Sequence, residues 1–487
     1  REGRKTASSF RGWDAASGGF SHQETTCPAH FGARSCGKRE CKLKVYTIGG
    51  EEIVTGGFCP LGDSEGSGRA RPDYVALFHS LVAKHFQGLP LGSLGAVERD
   101  GRPRVGIRRA TSTIGGRAVW SSALFSSLGF LPVLTPVSNE EISRLGLRHS
   151  PTDFCVAMKL SAGHTALLAA DEGVDHIFIP SLIRRVRDKT PSHMFCIYTE
   201  AEGFLPEDDL GLPKGKVIRP VMHLGDRKQM ARSLEKELAR VGHRFSGQQI
   251  NEALREANAR EEAFNGELAR LGDAFLENLR RNDEKGYVGI GRDYVVLDPA
   301  ASSDTGRMFA TVRGMAYIPQ VFLSHLYAGI PLDDLVDNEY WEHSSEILKA
   351  SIFTAMHERL FPVRQMNFAC GPDSIKFIME DEIFRRAGKP FLHLLTDAQT
   401  NNAPFVTRAE AFERVVARWK PREVPLERFS FARPSPSGAE SRRWLIPWMG
   451  NASTLGAAAA AYRGIDAVIA PTDTAESREA AERLIST

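Results

Sequence analysis

Seven cysteines are the residues with the widest chemical range in this 487-residue chain. A thiol ligates metal or acts as a nucleophile in its thiolate form, which is favoured at a helix N-terminus or beside a cation. Cys370 has such a setting. The run Val363-Arg-Gln-Met-Asn-Phe-Ala-Cys-Gly-Pro-Asp373 reads as a buried strand, then a Gly371-Pro372 turn, then an acidic residue that could cap a helix. That places the thiol at the carboxyl end of a strand, where open α/β sheets bind ligands. Cys155, in Asp153-Phe-Cys-Val-Ala-Met-Lys-Leu-Ser-Ala-Gly-His164, falls in the first turn of a helix expected over residues 152–170. Cys196 lies in Ser192-His-Met-Phe-Cys-Ile-Tyr198, which reads as a strand. The three are far apart in sequence and are expected to converge on one cluster. Residue types alone point to a thiolate site without choosing its metal. Cys196, between Phe195 and Ile197, also fits a plain core position.

The other four cysteines, Cys27, Cys36, Cys41 and Cys59, crowd into residues 27–62. A strand-like 43–48 follows Cys41, Gly49-Gly50 turns the chain into a second strand over 52–55, and Cys59-Pro60 comes next. Small metal-stapled units are built from a hairpin flanked by cysteine pairs, and Cys27 or His30 could supply a fourth ligand. Free thiols on a connecting hairpin explain the same residues. An odd count with uneven spacing argues against a disulfide scaffold and for a reducing compartment.

Other candidates carry less. Arg108 and Arg109 end the first expected strand, where a phosphate could dock, and an ordinary surface position explains them equally well. His164 could orient a carboxylate or phosphate, and Asp373 reads first as a helix cap. Neither a Gly-x-x-x-x-Gly-Lys-Ser/Thr loop nor a His-Glu-x-x-His motif occurs, and Gly289-Ile-Gly291 lacks the third glycine of a dinucleotide loop.

The elements that would position these residues follow from composition and periodicity. Apolar residues make up 42% and charged residues 25%, ordinary values for a globular chain. A net charge of +2 gives no nucleic-acid footprint. No apolar run reaches the about 18 residues of a membrane span, and a cytoplasmic location is expected. The N-terminus, Arg1-Glu-Gly-Arg-Lys, has no Met and no signal peptide, so the chain is expected to begin inside a larger polypeptide.

Residues 1–26 read as linker and 27–62 as the small cysteine-bearing unit. Over 103–225, strands at Arg104–Ile107, 130–134, 175–180 and 194–198 alternate with helices at 118–128 and 152–170. Such alternation predicts a parallel sheet covered by helices. Residues 226–285 are helical with a break at 242–246, and Leu254, Phe264, Leu268, Leu271 and Phe275 form a core stripe. A second α/β unit over 286–418 has strands at Gly286–Ile290, 316–318, 364–368 and 391–395, with a helix over 344–360. Residues 419–441 are a proline-bearing linker, and 442–487 begin a further α/β module that stops short. The expected fold class is α/β: two successive parallel-sheet, Rossmann-like units with a helical insertion and a small N-terminal hairpin unit.

Taken in order, several stretches resemble a known family. They are Val105-Gly-Ile-Arg-Arg-Ala, Leu128-Gly-Phe, Phe154-Cys-Val-Ala-Met-Lys-Leu-Ser-Ala-Gly-His164 and Val174-Asp-His-Ile-Phe-Ile-Pro180. Gly291-Arg-Asp-Tyr, Asn367-Phe-Ala-Cys-Gly-Pro-Asp-Ser374 and Thr407-Arg-Ala-Glu-Ala-Phe412 complete the series. Over roughly 27–418 the series is similar to the acyl-CoA dehydratase activase-related proteins, themselves similar to 2-hydroxyglutaryl-CoA dehydratase subunits and double-cubane cluster proteins. The resemblance implies a 4Fe-4S or double-cubane iron–sulfur cluster ligated by Cys155, Cys196 and Cys370. It implies an anaerobic reductase or dehydratase that takes low-potential electrons from an ATP-hydrolysing activase, expected upstream in the same polypeptide. An acyl-CoA substrate and a dimer are part of the same expectation. Asp397-Ala-Gln399 stands where that family often has Asp-Glu-His, which removes the histidine. Two other readings compete: a structural or electron-relay metal-binding module without substrate chemistry, and a metal-free scaffold whose cysteines fill the core.

Overall fold

The computed structural model describes residues 20–26, 42–48, 51–56, 71–150, 154–186, 193–336, 339–368, 370–397, 403–431, 443–448 and 451–470. Near the N-terminus, β1 (Phe20–Thr26), β2 (Lys42–Ile48) and β3 (Glu51–Gly56) form an antiparallel sheet in that order, with Leu43 opposite Gly56 and Phe20 opposite Ile48. The hairpin expected from the Gly49-Gly50 turn is therefore present. It gains a third strand from the stretch read as linker. Cys27, Cys36, Cys41 and Cys59, with His30, lie outside the described residues.

Two parallel sheets make up the centre of the fold. The first has β4 (Leu89–Pro90), β5 (Arg104–Ile107), β6 (Leu131–Leu134), β7 (His176–Phe178) and β10 (Val217–Ile218), in the order β10-β7-β5-β6-β4. A small sheet beside it orders β8 (Ser181–Arg185), β9 (His193–Met194) and β11 (Val221–Leu224) as β11-β8-β9. The second parallel sheet orders β12 (Gly286–Ile290), β13 (Ala316–Pro319), β14 (Leu360–Asn367) and β15 (Leu392–Thr396) as β13-β12-β14-β15. Every residue of β5, β6, β12 and β14 is buried. That is the mark of strands covered on both faces, which parallel sheets require. All these elements belong to one compact unit, Arg1–Ser430. The second unit, Phe431–Thr487, pairs β16 (Trp444–Ile446) and β17 (Ala467–Ile469) in parallel through the helix Asn451–Tyr462, a βαβ start.

The helical insertion is a helix at Arg227–Arg240 and a long one at Gly247–Arg281. Ser246 and Gln249 close a capping box at the start of the long helix, which fixes its first turn. Leu254, Phe264, Leu268 and Phe275 are buried along it as the stripe requires, while Leu271 is half-buried. The buried side meets the helix Gly116–Ser127 from the first sheet, where Trp120 Nε1 donates to Asn258 Oδ1 at 2.8 Å. It also meets the helix Tyr74–His85, where Phe78 and Phe264 pack edge-on at 5.8 Å.

One close packing bears on the site. Helices Glu140–Arg148 and Val156–Ala170 approach at Gly146 and Gly163. A Cβ on Gly163 would lie 2.0 Å from the Ile142 carbonyl oxygen, and one on Gly146 would lie 2.1 Å from that of Lys159. Only glycine permits this contact, which holds the helix that begins after Cys155.

Element limits differ from expectation where cysteines are concerned. The helix over 152–170 starts at Val156, so Cys155 is its N-cap and not a first-turn residue. Residues 194–198 are not a strand. Only His193–Met194 pairs with β8, and a short helix, Ile197–Ala201, follows with Cys196 as its N-cap. Aromatic and β-branched residues imitate a strand there, but Phe195 is buried while Ile197 is 60% exposed.

Candidate functional site

Each of the three cysteines outside the N-terminal unit caps a helix. Cys155 precedes Val156–Ala170, Cys196 precedes Ile197–Ala201, and Cys370 precedes Gly371–Ala387, where Pro372 suits the first turn. All three have extended backbone at the cap, and none uses its side chain to close a cap hydrogen bond. Instead the thiols line one cavity of about 350 Å³, with Arg292, Tyr294, Trp341 and Asn367 among its other walls. Each cysteine is half-buried and free of disulfides.

Burial pushes the Cys155 thiol above its ordinary value, with the Met158 N–H and Arg292 pulling the other way. Burial likewise lifts Cys370 to about 11, opposed chiefly by the Arg292 charge. As free thiols both are therefore protonated near neutrality. Their deprotonation needs a ligand that replaces the lost solvation, as a bound metal does. Among the described residues no three His, Cys, Asp or Glu side chains converge on a point that could hold a single metal ion. The three thiols ring a space and do not meet at a centre.

Charged residues, Arg292 and Asp373, also line the cavity. Arg292 follows the end of β12 and is 2% exposed. Its Nε donates to Asp373 Oδ1 at 2.8 Å and its Nη1 to the Tyr294 hydroxyl at 3.0 Å. Its Nη2 is buried without a hydrogen-bond partner. Burial works against this charge, but Asp373 outweighs it and the guanidinium stays firmly protonated. Behind Asp373, Arg364 Nη2 approaches Oδ2 at 3.4 Å, and Arg364 Nε donates to Glu380 Oε2 at 2.5 Å. Burial alone would raise the Asp373 carboxyl, yet Arg292 and Arg364 hold it below the ordinary carboxylate value. Asp373 thus anchors two arginines and is not the helix cap its position suggested. Asn367, the last residue of β14 before Cys370, donates from Nδ2 to Thr396 Oγ1 at 2.6 Å, and its Oδ1 is buried without a partner.

The lesser candidates have structural roles. Arg108 is fully buried, paired with Glu202 at 2.9 Å and bonded to Ser112 and Thr165. Arg109 donates from Nε to the Thr135 carbonyl at 3.0 Å and is buried as well, so neither offers its charge to an outside phosphate. His164 is fully buried against Ser138 Oγ at 2.9 Å and is depressed to about 3 by burial and by Arg108. The Gly291 N–H is taken by Gln320 Oε1 at 3.2 Å, which closes that position to phosphate.

Sequence reasoning did not assign a role to Arg292, Tyr294, Trp341 or Asn367. A signal existed for two of them. Gly291-Arg292-Asp293-Tyr294 leaves a buried parallel strand at its carboxyl end, the same placement that singled out Cys370.

Residues 104–322 match a family described as "CoA enzyme activase uncharacterised domain". The match covers less than half of the chain and includes Cys155, Cys196 and Arg292, with Cys370 beyond it. No curated protein matches the chain. Among solved structures, "Crystal structure of 138-173 ZnuA deletion mutant plus zinc bound" aligns with 66% of this chain and 100% of that one, at 13% identity. Its TM-score is 0.18, and a likeness at that level carries no argument about fold or ligand.

Proposed function

We propose that the three-cysteine cavity holds a cubane iron–sulfur cluster on Cys155, Cys196 and Cys370. The chain would then be the electron-accepting module of an ATP-dependent, low-potential reductase or dehydratase system acting on CoA thioesters. The observation that carries this reading is that three cysteines, from three helix starts, line one cavity of about 350 Å³. The activase-related match over 104–322 supports the CoA-enzyme setting.

The residues suit such a group. Three cysteines supply thiolates, as iron–sulfur cubanes require, and leave one iron without a protein thiolate. A ring of thiols around a space accommodates a polynuclear body better than one ion, whose sulfur ligands must lie about 2.3 Å from a shared centre. The N-termini of the 15-residue and 17-residue helices after Cys155 and Cys370 favour negative charge. Arg292 adds a buried cation to that wall.

When bound, the cluster supplies one-electron transfer at low potential. The chain's own residues prepare the place. Burial keeps Cys155 and Cys370 protonated until they ligate, so loading releases protons and weakens as pH falls. Tyr294, Val295 and Trp341 give the cavity part of its apolar lining. Ile197 beside Cys196, together with Phe368, Ile375 and Ile378 around Cys370, is exposed. An electron-donating activase would dock against exposed apolar side chains such as these.

Anaerobic purification with iron and sulfide analysis, then electron paramagnetic resonance after reduction, tests the reading. About four irons per chain and a cubane signal that vanishes in Cys370→Ser are expected. About eight irons would mean a double cubane or a second centre on Cys27, Cys36, Cys41 and Cys59. Zinc in place of iron would favour a structural module, and an unchanged spectrum in Cys370→Ser would remove that residue from the ligand set.

A further inference from the structure

Two histidines face each other at the start of β7, outside the three-cysteine cavity. His176 opens β7, and His243 lies in the break between helices Arg227–Arg240 and Gly247–Arg281. Their Nε2 atoms are 3.1 Å apart, with the ring planes at 83°. Each residue is held by other contacts. His176 Nδ1 meets the Gly215 carbonyl oxygen at 2.9 Å. A carbonyl only accepts, so Nδ1 carries the proton and Nε2 keeps its lone pair. Metal-ligating histidines commonly have a backbone carbonyl as this partner. His243 packs edge-on to Phe130 with ring centroids 4.8 Å apart, and its backbone N–H donates to the Leu238 carbonyl at 2.9 Å. Both rings line a cavity of about 350 Å³, open to solvent, with Arg99, Arg102 and Asp175. The arginines are counter-charged: Arg99 pairs with Asp175 at 3.1 Å and Arg102 with Asp100 at 2.6 Å.

We propose that His176 and His243 form a metal site of their own, which takes one divalent cation of the zinc or nickel class on the two Nε2 atoms. With metal–nitrogen bonds of about 2.0–2.1 Å, nitrogens at this spacing subtend about 100° at the ion, near the tetrahedral angle. Water in the open cavity supplies the remaining ligands, so no third side chain is needed. Imidazole suits these metals, whereas magnesium and calcium prefer oxygen. Binding replaces the hydrogen bond between the rings. The His243 proton moves from Nε2 to Nδ1 through solvent, and both imidazoles stay neutral. The ion ties the corner between the two insertion helices to β7, which cross-links the insertion to the first sheet. No cysteine takes part, so the proposal is independent of the cluster reading.

Nickel is the probe, because it suits imidazole and is not among the metals that thiolates select. Equilibrium dialysis of the full chain against nickel chloride compares wild type, His176→Asn and His243→Asn. Wild type is expected to take up one more nickel ion per chain than either variant, any uptake by the cysteines being common to all three. Its denaturant midpoint should rise further with nickel than that of His243→Asn, because the ion binds the folded chain. Equal uptake in the three proteins overturns the site, and equal midpoint shifts overturn the cross-link. Should either variant fail to fold, wild-type crystals grown with nickel decide the matter. Anomalous scattering is expected to place an ion between the two Nε2 atoms, and its absence there overturns the proposal.

Discussion

Replacing Asp373 with Asn isolates the ion-pair chain behind the cavity. The side chain is 1% exposed and accepts from Arg292 at 2.8 Å, with Arg364 at 3.4 Å from its other oxygen. Asparagine keeps the shape but removes the charge. Arg364 retains Glu380 at 2.5 Å, so the uncompensated cation is Arg292. Removing one partner of a buried pair costs about 3–5 kcal/mol, a large part of the about 5–15 kcal/mol that holds a domain together. Denaturant unfolding of the cluster-free chain should therefore show a lower midpoint with an unchanged slope. The sign of the pH dependence follows from the depressed carboxyl. Its folded value lies below its unfolded one of about 3.9, so the stabilisation is complete above about pH 4 and is lost as pH falls through the folded value. The gap between wild type and Asp373→Asn should be flat near neutrality and shrink in acid. The double variant with Arg292→Gln should cost less than the two single changes summed, because they share one interaction. A loss under about 1 kcal/mol at neutral pH, or a gap that widens in acid, would refute the reasoning.

Three further outcomes are expected elsewhere in the fold. Glu202→Gln strips the counter-charge from fully buried Arg108, 2.9 Å away, and thermal unfolding should register a loss of about 3–5 kcal/mol. Gly163→Ala forces a Cβ to 2.0 Å from the Ile142 carbonyl and should cost at least about 1–3 kcal/mol, whereas Gly266→Ala, with nothing within 4 Å, should be neutral or mildly stabilising in the same assay. Lys389 donates to the His357 carbonyl at 2.5 Å and lies over Trp419 at 4.1 Å, and burial, with Lys285 adding to it, brings the ammonium down to about 7. Its folded value is below the unfolded one of about 10.4, so wild type should gain stability relative to Lys389→Met as pH rises between the two, by up to about 1.4 kcal/mol per unit. Parallel stability curves would place the ammonium's proton affinity where an exposed lysine has it.

Much of the architecture is legible in residue order, because the physics of strands and helices is local. Gly286–Ile290 and Arg104–Ile107 read as strands from their composition and are strands with those limits. The alternation of elements implies parallel sheets, and two are present. The break at 242–246 separates two helices because Gly242 adopts a φ of 93° and Ser246 caps the next helix. Cys196 was harder to read, because its neighbours Phe195 and Ile197 suit a strand and only the pairing of β9 with β8 shows how soon that strand ends. Arg108 and Arg109 sit at a strand end where surface charge is common, and only packing showed them turned into the core.

By itself, then, the sequence determined most element types, though not that of 194–198, together with the parallel α/β class and the placing of Cys155 and Cys370 at element boundaries. These depend on periodicity and on the few residues around each turn. Tertiary structure alone decided that Cys155, Cys196 and Cys370 line one cavity together with Arg292, and that Asp373 serves two arginines in place of a cap. The three cysteines are separated by 41 to 215 positions (155 to 196, and 155 to 370) and are brought together by sheet order and helix packing, for which no local pattern carries a signal.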